Sequence, residues 1–525
     1  MPHAADDAPR LEQLPPAGAA EATAALLGAA GAAALSWMPA AVQEAVAGAA
    51  QYARPADAPA AAAAGPGLEP PEPVLRSSFG VLAKGGALRT VLCVVRASSF
   101  AVFDVHDPLD IHRLLERREC GVRSVAVVPA SAAPAADGPL ASCRGDVLAV
   151  AAEGAAGGTD RLRFLSLDTN EFVHEHTAVG PIDSVLSNGA QVALVEAGRL
   201  ELLGADASVP AVRVDDVFER PDAAVGAASP QPCSLAERLL AYPCASLPAA
   251  PADGGGGSVL GGIVELAVSS AGALSGVSPR EESAAGCVRV VDAGRPAAAA
   301  LFHFRAHASA VAALKLNETD RGGCLLASAG ESGRSVKVWM LADGTDRPEL
   351  LYRLERGVTA ATIAALSFAA SSRWLALSTT RGTTHVFSIN AVGGTTDAST
   401  HVTSASLFTP EAASSYDPKA PPALVTKNAD AVLKGDGWLS SQVESAAADG
   451  DHRTSAVCTR FVASDGDSLS LLSCCKNKLL AYSLEATAPG DREDSAIAPA
   501  SLALEPRLYV DSNNKTQPLT AWQIP

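Results

Sequence analysis

Short apolar strands separated by turn residues fill the chain from about residue 73 to about residue 512. No long stretch there has apolar residues at the 3.6-residue period of a helix. Instead, one strand pattern recurs seven times, and most copies follow another apolar strand. The copies are FAVFDV at Phe100, LRFLSL at Leu162, LELLGA at Leu200, VRVVDA at Val288, VKVWML at Val336, THVFSI at Thr384 and LLAYSL at Leu479. This repetition predicts an all-β fold, a seven-bladed β-propeller with long inter-strand loops.

The segments outside the repeats divide the chain further. Residues 1–72 are rich in alanine and proline and are predicted to be a disordered N-terminal arm. The propeller is predicted over 73–512, with long loops at about 251–283 and 391–435, and a C-terminal tail follows over 513–525. VLRSSFGVL near the start and RLYVDS near the end are candidates for strands that close the ring.

Composition narrows the function classes. The net charge of −17 argues against nucleic acid as a partner, although it leaves room for a small local anion site. The ten cysteines form no C-x-x-C pair and no zinc pattern, so neither a metal nor another cofactor is expected. The acidic opening MPHAADDAPR does not resemble a signal peptide, which favours a cytoplasmic protein with reduced thiols. No nucleophile elbow, phosphate loop or H-E-x-x-H motif is present, and the chain is not expected to be an enzyme.

Candidate chemistry lies between Leu354 and Asn390. TIAALSF, RWLALST and TTHVFSI in this stretch predict three successive strands of one blade, with an Arg-Gly pair on the link before them. This arrangement predicts that Arg356, Ser378, Thr379 and His385 meet near the blade edge. A guanidinium, hydroxyls and an imidazole suit a phosphate monoester.

The same stretch resembles a known family. The pattern L-x-R-G, then I-x-x-L-S-F, L-A-x-S and G-T-x-H-V-F, is similar to the PROPPINs, phosphoinositide-binding seven-bladed propellers of autophagy. YRLERGVTAATIAALSF, STTRGTTHVFSINAVGG and VLCVVRASSFAVFDVHDP resemble a plant branch that shares a domain with the breast carcinoma amplified sequence 3 proteins. The resemblance spans roughly residues 74–510 and is most specific around 301–390.

The resemblance implies two lipid-headgroup sites, each served by one arginine of a Phe-Arg-Arg-Gly motif. Here the four positions read Leu354, Glu355, Arg356 and Gly357, so a carboxylate replaces the first arginine. The first site is expected to be weak or absent because that carboxylate repels a phosphate. Its candidate residues are His307, Ser328 and Lys337, and Gly330 stands where the family usually has a hydroxyl.

The second site is expected to function. The resemblance assigns it Arg356, Ser378, Thr379, Thr383 and His385, with Arg353 and Arg381 adding long-range attraction. It also implies a membrane-inserting loop after Asn390, for which the candidates are Val402, Leu407 and Phe408. A flexible surface loop is an equal alternative there.

The resemblance implies a monomeric adaptor that is peripheral to phagophore or endosomal/vacuolar membranes. It would recognise phosphatidylinositol 3-phosphate or 3,5-bisphosphate and recruit autophagy-related proteins. The alternative is a WD-repeat protein-interaction scaffold with a vestigial lipid site. Under that alternative, His307 and His385 are structural histidines, and the hydroxyls of Ser378 and Thr379 satisfy backbone groups at the strand edge.

Overall fold

The computed structural model describes most of the chain between residues 72 and 523. The segments outside this description are 1–71, 85–86, 108–109, 130–138, 141–142, 144, 155–158, 205–211, 220–230, 249–283, 296–298, 319–322, 346, 397–400, 402–423, 435–456, 463–468, 476–477, 488–502, 508–519 and 524–525. The predicted arm over 1–72 and the predicted loop over 251–283 therefore lie almost entirely outside the described residues.

Thirty strands within the described residues form seven sheets, which are the blades of a β-propeller. Blades 1 to 3 contain β1 (Arg76–Lys84), β2 (Ala87–Val95), β3 (Ser99–Asp104), β4 (His112–Arg118); β5 (Val122–Val128), β6 (Val147–Ala152), β7 (Arg161–Ser166), β8 (Phe172–Thr177); β9 (Ile182–Ser187), β10 (Gln191–Glu196), β11 (Arg199–Gly204) and β12 (Val212–Val214). Each is a four-stranded antiparallel sheet in sequence order.

The remaining four blades follow in chain order. Blades 4 and 5 contain β13 (Ser234–Leu235), β14 (Leu239–Pro243), β15 (Cys287–Asp292), β16 (Phe302–Arg305); β17 (Val311–Glu318), β18 (Cys324–Gly330), β19 (Ser335–Leu341), β20 (Glu349–Glu355) and β24 (Val425–Asn428). Blades 6 and 7 contain β21 (Ile363–Phe368), β22 (Trp374–Thr379), β23 (Thr383–Ser388), β25 (Ala431–Lys434); β26 (Val457–Val462), β27 (Leu469–Cys475), β28 (Lys478–Thr487), β29 (Ala503–Arg507) and β30 (Thr520–Gln523).

The seven-fold repeat seen in the sequence is confirmed. Its copies lie in β3, β7, β11, β15, β19, β23 and β28, which are the third strands of the seven blades. Side chains alternate along these strands, so each blade presents one apolar face to the preceding blade and one to the next. On β22, for example, Leu375 and Leu377 join the core with blade 5, while Trp374 and Ala376 join the core with blade 7.

The ring closes by packing between blades 1 and 7. Leu92 and Val94 of β2 share a buried cluster with Leu472 of β27 and Leu479 of β28. The sequence suggested closing strands at VLRSSFGVL and RLYVDS. In the described chain, β1, which includes most of VLRSSFGVL, pairs with β2 of its own blade, whereas RLYVDS lies outside the described residues apart from Arg507, the last residue of β29.

Two predicted boundaries differ from the structure. The loop predicted over 391–435 contains β24 and β25, which are only four residues long each and therefore carry little strand signal. The segment predicted as a tail contains β30, which pairs with β28. The remaining domain boundaries stay predictions. Within the described residues, no helix is long and apolar enough to cross a bilayer.

Candidate functional site

The link between blades 5 and 6 carries Arg356 and is tied to blade 5 through its backbone. The Arg356 amide donates to the carbonyl of Arg334, on the turn between β18 and β19, over 2.8 Å. Gly357 follows with a φ of 151° and open space around its Cα atom. Val358, next along the link, is 88% exposed. The guanidinium of Arg356 is thereby fixed at the seam between the two blades, beside an outward apolar side chain.

The Arg356 side chain is half-buried and partly satisfied by protein. Its Nε atom donates to the Gly333 carbonyl over 2.6 Å, and one terminal nitrogen donates to the Thr359 carbonyl. Burial and the nearby charge of Arg381 lower the pKa of Arg356 below its usual value. The other terminal nitrogen is not used in these bonds. The seam thus combines two neighbouring positive charges with unused donors.

His385 lies on the side of blade 6 that faces this seam. Its neighbour on the same side of β23 is Phe387, which packs in the core shared with blade 5. Burial and the Arg356 charge lower the pKa of His385 to about 4. The buried Nδ1 atom has no hydrogen-bond partner among the described residues. The structure therefore brings Arg356 and His385 together, with the imidazole neutral at pH 7.

The strand alternation separates the two predicted hydroxyls of β22. Thr379 faces blade 5, as Leu377 does, and its hydroxyl donates to the Thr383 carbonyl over 3.3 Å. Ser378 faces blade 7 instead, where its fully buried hydroxyl bonds Thr384 over 2.7 Å and Thr459 of β26. Grouping Ser378 with Arg356 is therefore corrected. Adjacent residues of a strand point to opposite faces, and only Thr379 and Thr383 remain near the seam.

The residues of the predicted weaker site form a buried polar cluster between blades 4 and 5. Ser328 is inaccessible to solvent and accepts from Trp339 Nε1 over 2.9 Å. Its hydroxyl also lies 2.9 Å from His307 Nε2. Burial and the charge of Lys337 lower the pKa of His307 to about 3, so the ring is neutral at pH 7 and shares a hydrogen bond with the Ser328 hydroxyl. This chain of bonds gives the serine and histidine a structural role.

Lys337 and Glu355 complete the surroundings of that cluster. Lys337 is buried, and its Nζ atom donates to the Ala306 carbonyl over 2.9 Å. Glu355 lies 3.2 Å from the Arg353 guanidinium. A Cβ atom on Gly330 would lie 2.9 Å from the Ser309 hydroxyl and 3.3 Å from the His307 ring. The tight packing against His307 explains why glycine occupies this position, and it leaves little room for a headgroup.

Three further predicted residues, Val402, Leu407 and Phe408, lie outside the described residues. Conversely, Trp339, Gly333 and Thr459 have site-related contacts that sequence reasoning missed. The sequence gives no sign that the Nε1 atom of Trp339 donates to Ser328. Gly333 has a φ of 54° and lies in the turn between β18 and β19, and a glycine at this place in the sequence is typical of such a turn.

Parts of this chain are similar in sequence to known proteins. The family described as BCAS3, WD40 repeat matches residues 281–409, which contain β15 to β23, from the third strand of blade 4 to the third strand of blade 6. The breast carcinoma-amplified sequence 3 homolog of Drosophila melanogaster is 40% identical over 104 residues, covering 19% of this chain and 9% of that protein. Autophagy-related protein 18g of Arabidopsis thaliana is 28% identical over 193 residues, covering 32% of this chain and 20% of that protein.

The described chain is a seven-bladed β-propeller that is similar, over part of its length, to the BCAS3 WD40-repeat family and to autophagy-related protein 18g. The matches span a fifth or less of the length of these curated relatives. Among solved structures, Hsv2 of Kluyveromyces lactis is 12% identical to this chain, with a TM-score of 0.49. The alignment covers 87% of this chain and 100% of the Hsv2 chain. Kluyveromyces marxianus Hsv2 is 11% identical, with a TM-score of 0.47 over 86% of this chain and 99% of that chain.

Proposed function

We propose that this propeller is a PROPPIN-type autophagy adaptor that binds a phosphoinositide headgroup at the seam between blades 5 and 6. The observation that carries the proposal is the juxtaposition of Arg356 with the buried, unpartnered Nδ1 atom of His385. An anion placed between them would accept from the unused nitrogen of Arg356. It would also favour a proton on the imidazole, which then donates as a cation.

The surroundings support a headgroup attached to a membrane. Arg381 adds positive charge beside Arg356, and Thr379 and Thr383 lie on the same face of blade 6. The exposed Val358 places an apolar side chain next to the guanidinium, where it can enter the interfacial region of a bilayer. The ligand is accordingly proposed to be phosphatidylinositol 3-phosphate or 3,5-bisphosphate on phagophore or endosomal/vacuolar membranes.

One working site is expected to give modest affinity. In this chain the other site consists of a satisfied His307, Ser328 and Trp339 chain, with Glu355 nearby. A single site lacks the gain that two linked sites provide on one membrane. Autophagy-related protein partners are therefore proposed to add to membrane recruitment, and their binding by a monomeric propeller would make it an adaptor.

The test is flotation with vesicles that contain or lack phosphatidylinositol 3-phosphate at equal total negative charge. We expect the wild-type protein to prefer the phosphoinositide vesicles, and Arg356→Ala and His385→Ala to lose that preference. Arg347→Ala removes an exposed arginine outside the seam and serves as the charge-matched control. Equal binding to both vesicle types would contradict the proposal.

A WD-repeat scaffold is the second candidate, and one observation favours it. The bonds from Arg356 to Gly333 and Thr359 would hold this arginine in place without any ligand. Under this alternative, Arg356→Ala weakens the seam but leaves vesicle binding unchanged. Vesicle flotation and urea unfolding of the same variant therefore separate the two functions.

A further inference from the structure

The first strand of each blade lines a cavity along the propeller axis. These inner strands are β1, β5, β9, β13, β17, β21 and β26. All seven contribute residues to one cavity of about 1330 Å³. Its lining includes four cationic side chains from different blades: Arg76, Arg123, Lys315 and Arg460. Their partners divide them into two groups.

Two of these cations are neutralised by nearby carboxylates. The Arg76 guanidinium lies 3.7 Å from an Asp183 oxygen. Arg123 lies 3.2 Å from Asp160 and 3.1 Å from Glu153. Both arginines thus have anionic partners supplied by the protein itself, as is expected for charges removed from bulk water.

The other two cations have no such partner. The side chains of Lys315 on β17 and Arg460 on β26 take part in no hydrogen bond or ion pair within the described part of the chain. Lys315 is exposed to solvent where it lines the cavity, and the surrounding protein together with the charge of Arg460 lowers the pKa of its amine. Burial also lowers the pKa of Arg460. The two side chains line one cavity, whose wall also carries the carboxylates of Glu237 and Glu318.

Their positions in the blade repeat place them at one level of the axis. The amide that follows Lys315 donates to the Ser234 hydroxyl of blade 4 over 2.9 Å. The amide that follows Arg460 donates in the same way to the Ser367 hydroxyl of blade 6 over 3.4 Å. Lys315 and Arg460 thus occupy equivalent places on blades 5 and 7. Ser367, on the blade between them, also lines the cavity.

Neighbouring like charges without a nearby counterion repel one another, and a bound anion relieves that repulsion. We propose that Lys315 and Arg460, with the Ser367 hydroxyl between them, form an axial binding site for a small phosphate-bearing anion. A guanidinium binds a phosphate through two parallel hydrogen bonds, and an ammonium adds a compact charge from the other side. The cavity is large enough for a molecule with several phosphates, since small-molecule sites commonly occupy about 300–1,000 Å³.

This site is separate from the seam. Lys315 and Arg460 lie on inner strands, whereas Arg356 lies on the link between blades 5 and 6. The axial site takes a free anion, such as a condensed or inositol phosphate, and the proposal does not depend on lipid binding at Arg356.

The test is calorimetric titration of the full chain with tripolyphosphate and with inositol hexakisphosphate at low ionic strength. We expect Lys315→Met and Arg460→Gln each to weaken binding about tenfold or more, because each removes a charge-assisted contact, and the double variant to abolish it. Arg347→Gln, on the outer surface, should bind like the wild type.

Thermal unfolding without added anion provides the second measurement. Removing two repelling cations should leave the melting temperature of the double variant equal to or above that of the wild type. A lower melting temperature would assign these residues a structural role and overturn the proposal. Absence of wild-type binding, or unchanged binding by the double variant, would also overturn it.

Discussion

Arg356 and Gly333 are joined by a hydrogen bond of 2.6 Å from the arginine Nε atom to the glycine carbonyl. This bond fixes the guanidinium of the proposed headgroup site on the turn of the preceding blade. Gly333 has a φ of 54° and lies so close to the next link that an added Cβ atom would be 1.9 Å from the Ala361 carbonyl oxygen. The orientation of Arg356 therefore depends on a residue without a side chain.

Gly333→Ala is expected to destabilise the protein by about 1–3 kcal/mol, because the new methyl group displaces the turn as well as straining its backbone. Urea unfolding measures the loss, and vesicle flotation should show weaker binding as Arg356 moves. Gly344→Ala is the matched control, since its φ is 79° but nothing lies within 4 Å of the added atom. Equal losses in both variants would show that backbone strain alone is responsible.

Headgroup binding at the seam is expected to depend on pH through His385. Its pKa is about 4 in the free protein, lowered by burial and by Arg356, so the ring is neutral at pH 7. A bound anion raises that pKa, and binding then takes up a proton. Affinity should rise as pH falls below the bound-state pKa and level off near pH 4. Titrations of a soluble headgroup at several pH values measure this, and His385→Gln should flatten the profile. A profile that is identical in wild type and variant would refute the role.

Ser378→Ala is expected to lower stability by about 1–2 kcal/mol while leaving lipid binding intact. The substitution removes the hydroxyl that joins Thr384 and Thr459 across the buried contact between blades 6 and 7. Thr379→Val, on the opposite face, should instead weaken vesicle binding. If Ser378→Ala abolished vesicle binding without loss of stability, the separation of the two faces would be wrong.

Ser328→Ala is expected to cost about 1–3 kcal/mol, because it leaves the His307 and Trp339 ring nitrogens buried and unpaired. Chemical denaturation gives the free energy of unfolding, and Ser332→Ala, at an exposed position of the following turn, is the control. Vesicle binding should remain at the wild-type level after correction for folded protein. A selective loss of binding would restore a headgroup role to this cluster.

The sequence alone was sufficient for the ring but insufficient for its sites. The third strands are largely apolar and repeat seven times, so the seven blades were predictable. The faces of β22 were also accessible in principle, since Ser378 and Thr379 are adjacent in a strand and must diverge. The sequence did not reveal that Lys315 and Arg460 line the same cavity. They lie on blades 5 and 7, and their strands line one cavity only when the ring is formed.

The passage of chain after β23 has a consequence for how blades 5 and 6 hold together. As β24 it pairs in parallel with β20 and forms the outer edge of blade 5. As β25 it then pairs with β23 and completes blade 6. The Nζ atom of Lys427, on β24, donates to the Asp430 carboxylate over 2.8 Å and to the Ser388 carbonyl of β23 over 3.2 Å, which links the two blades. Loss of the outer strand of one blade would therefore disturb the outer strand of the other. The strands near Arg356 are held by this shared edge as well as by the core between the blades.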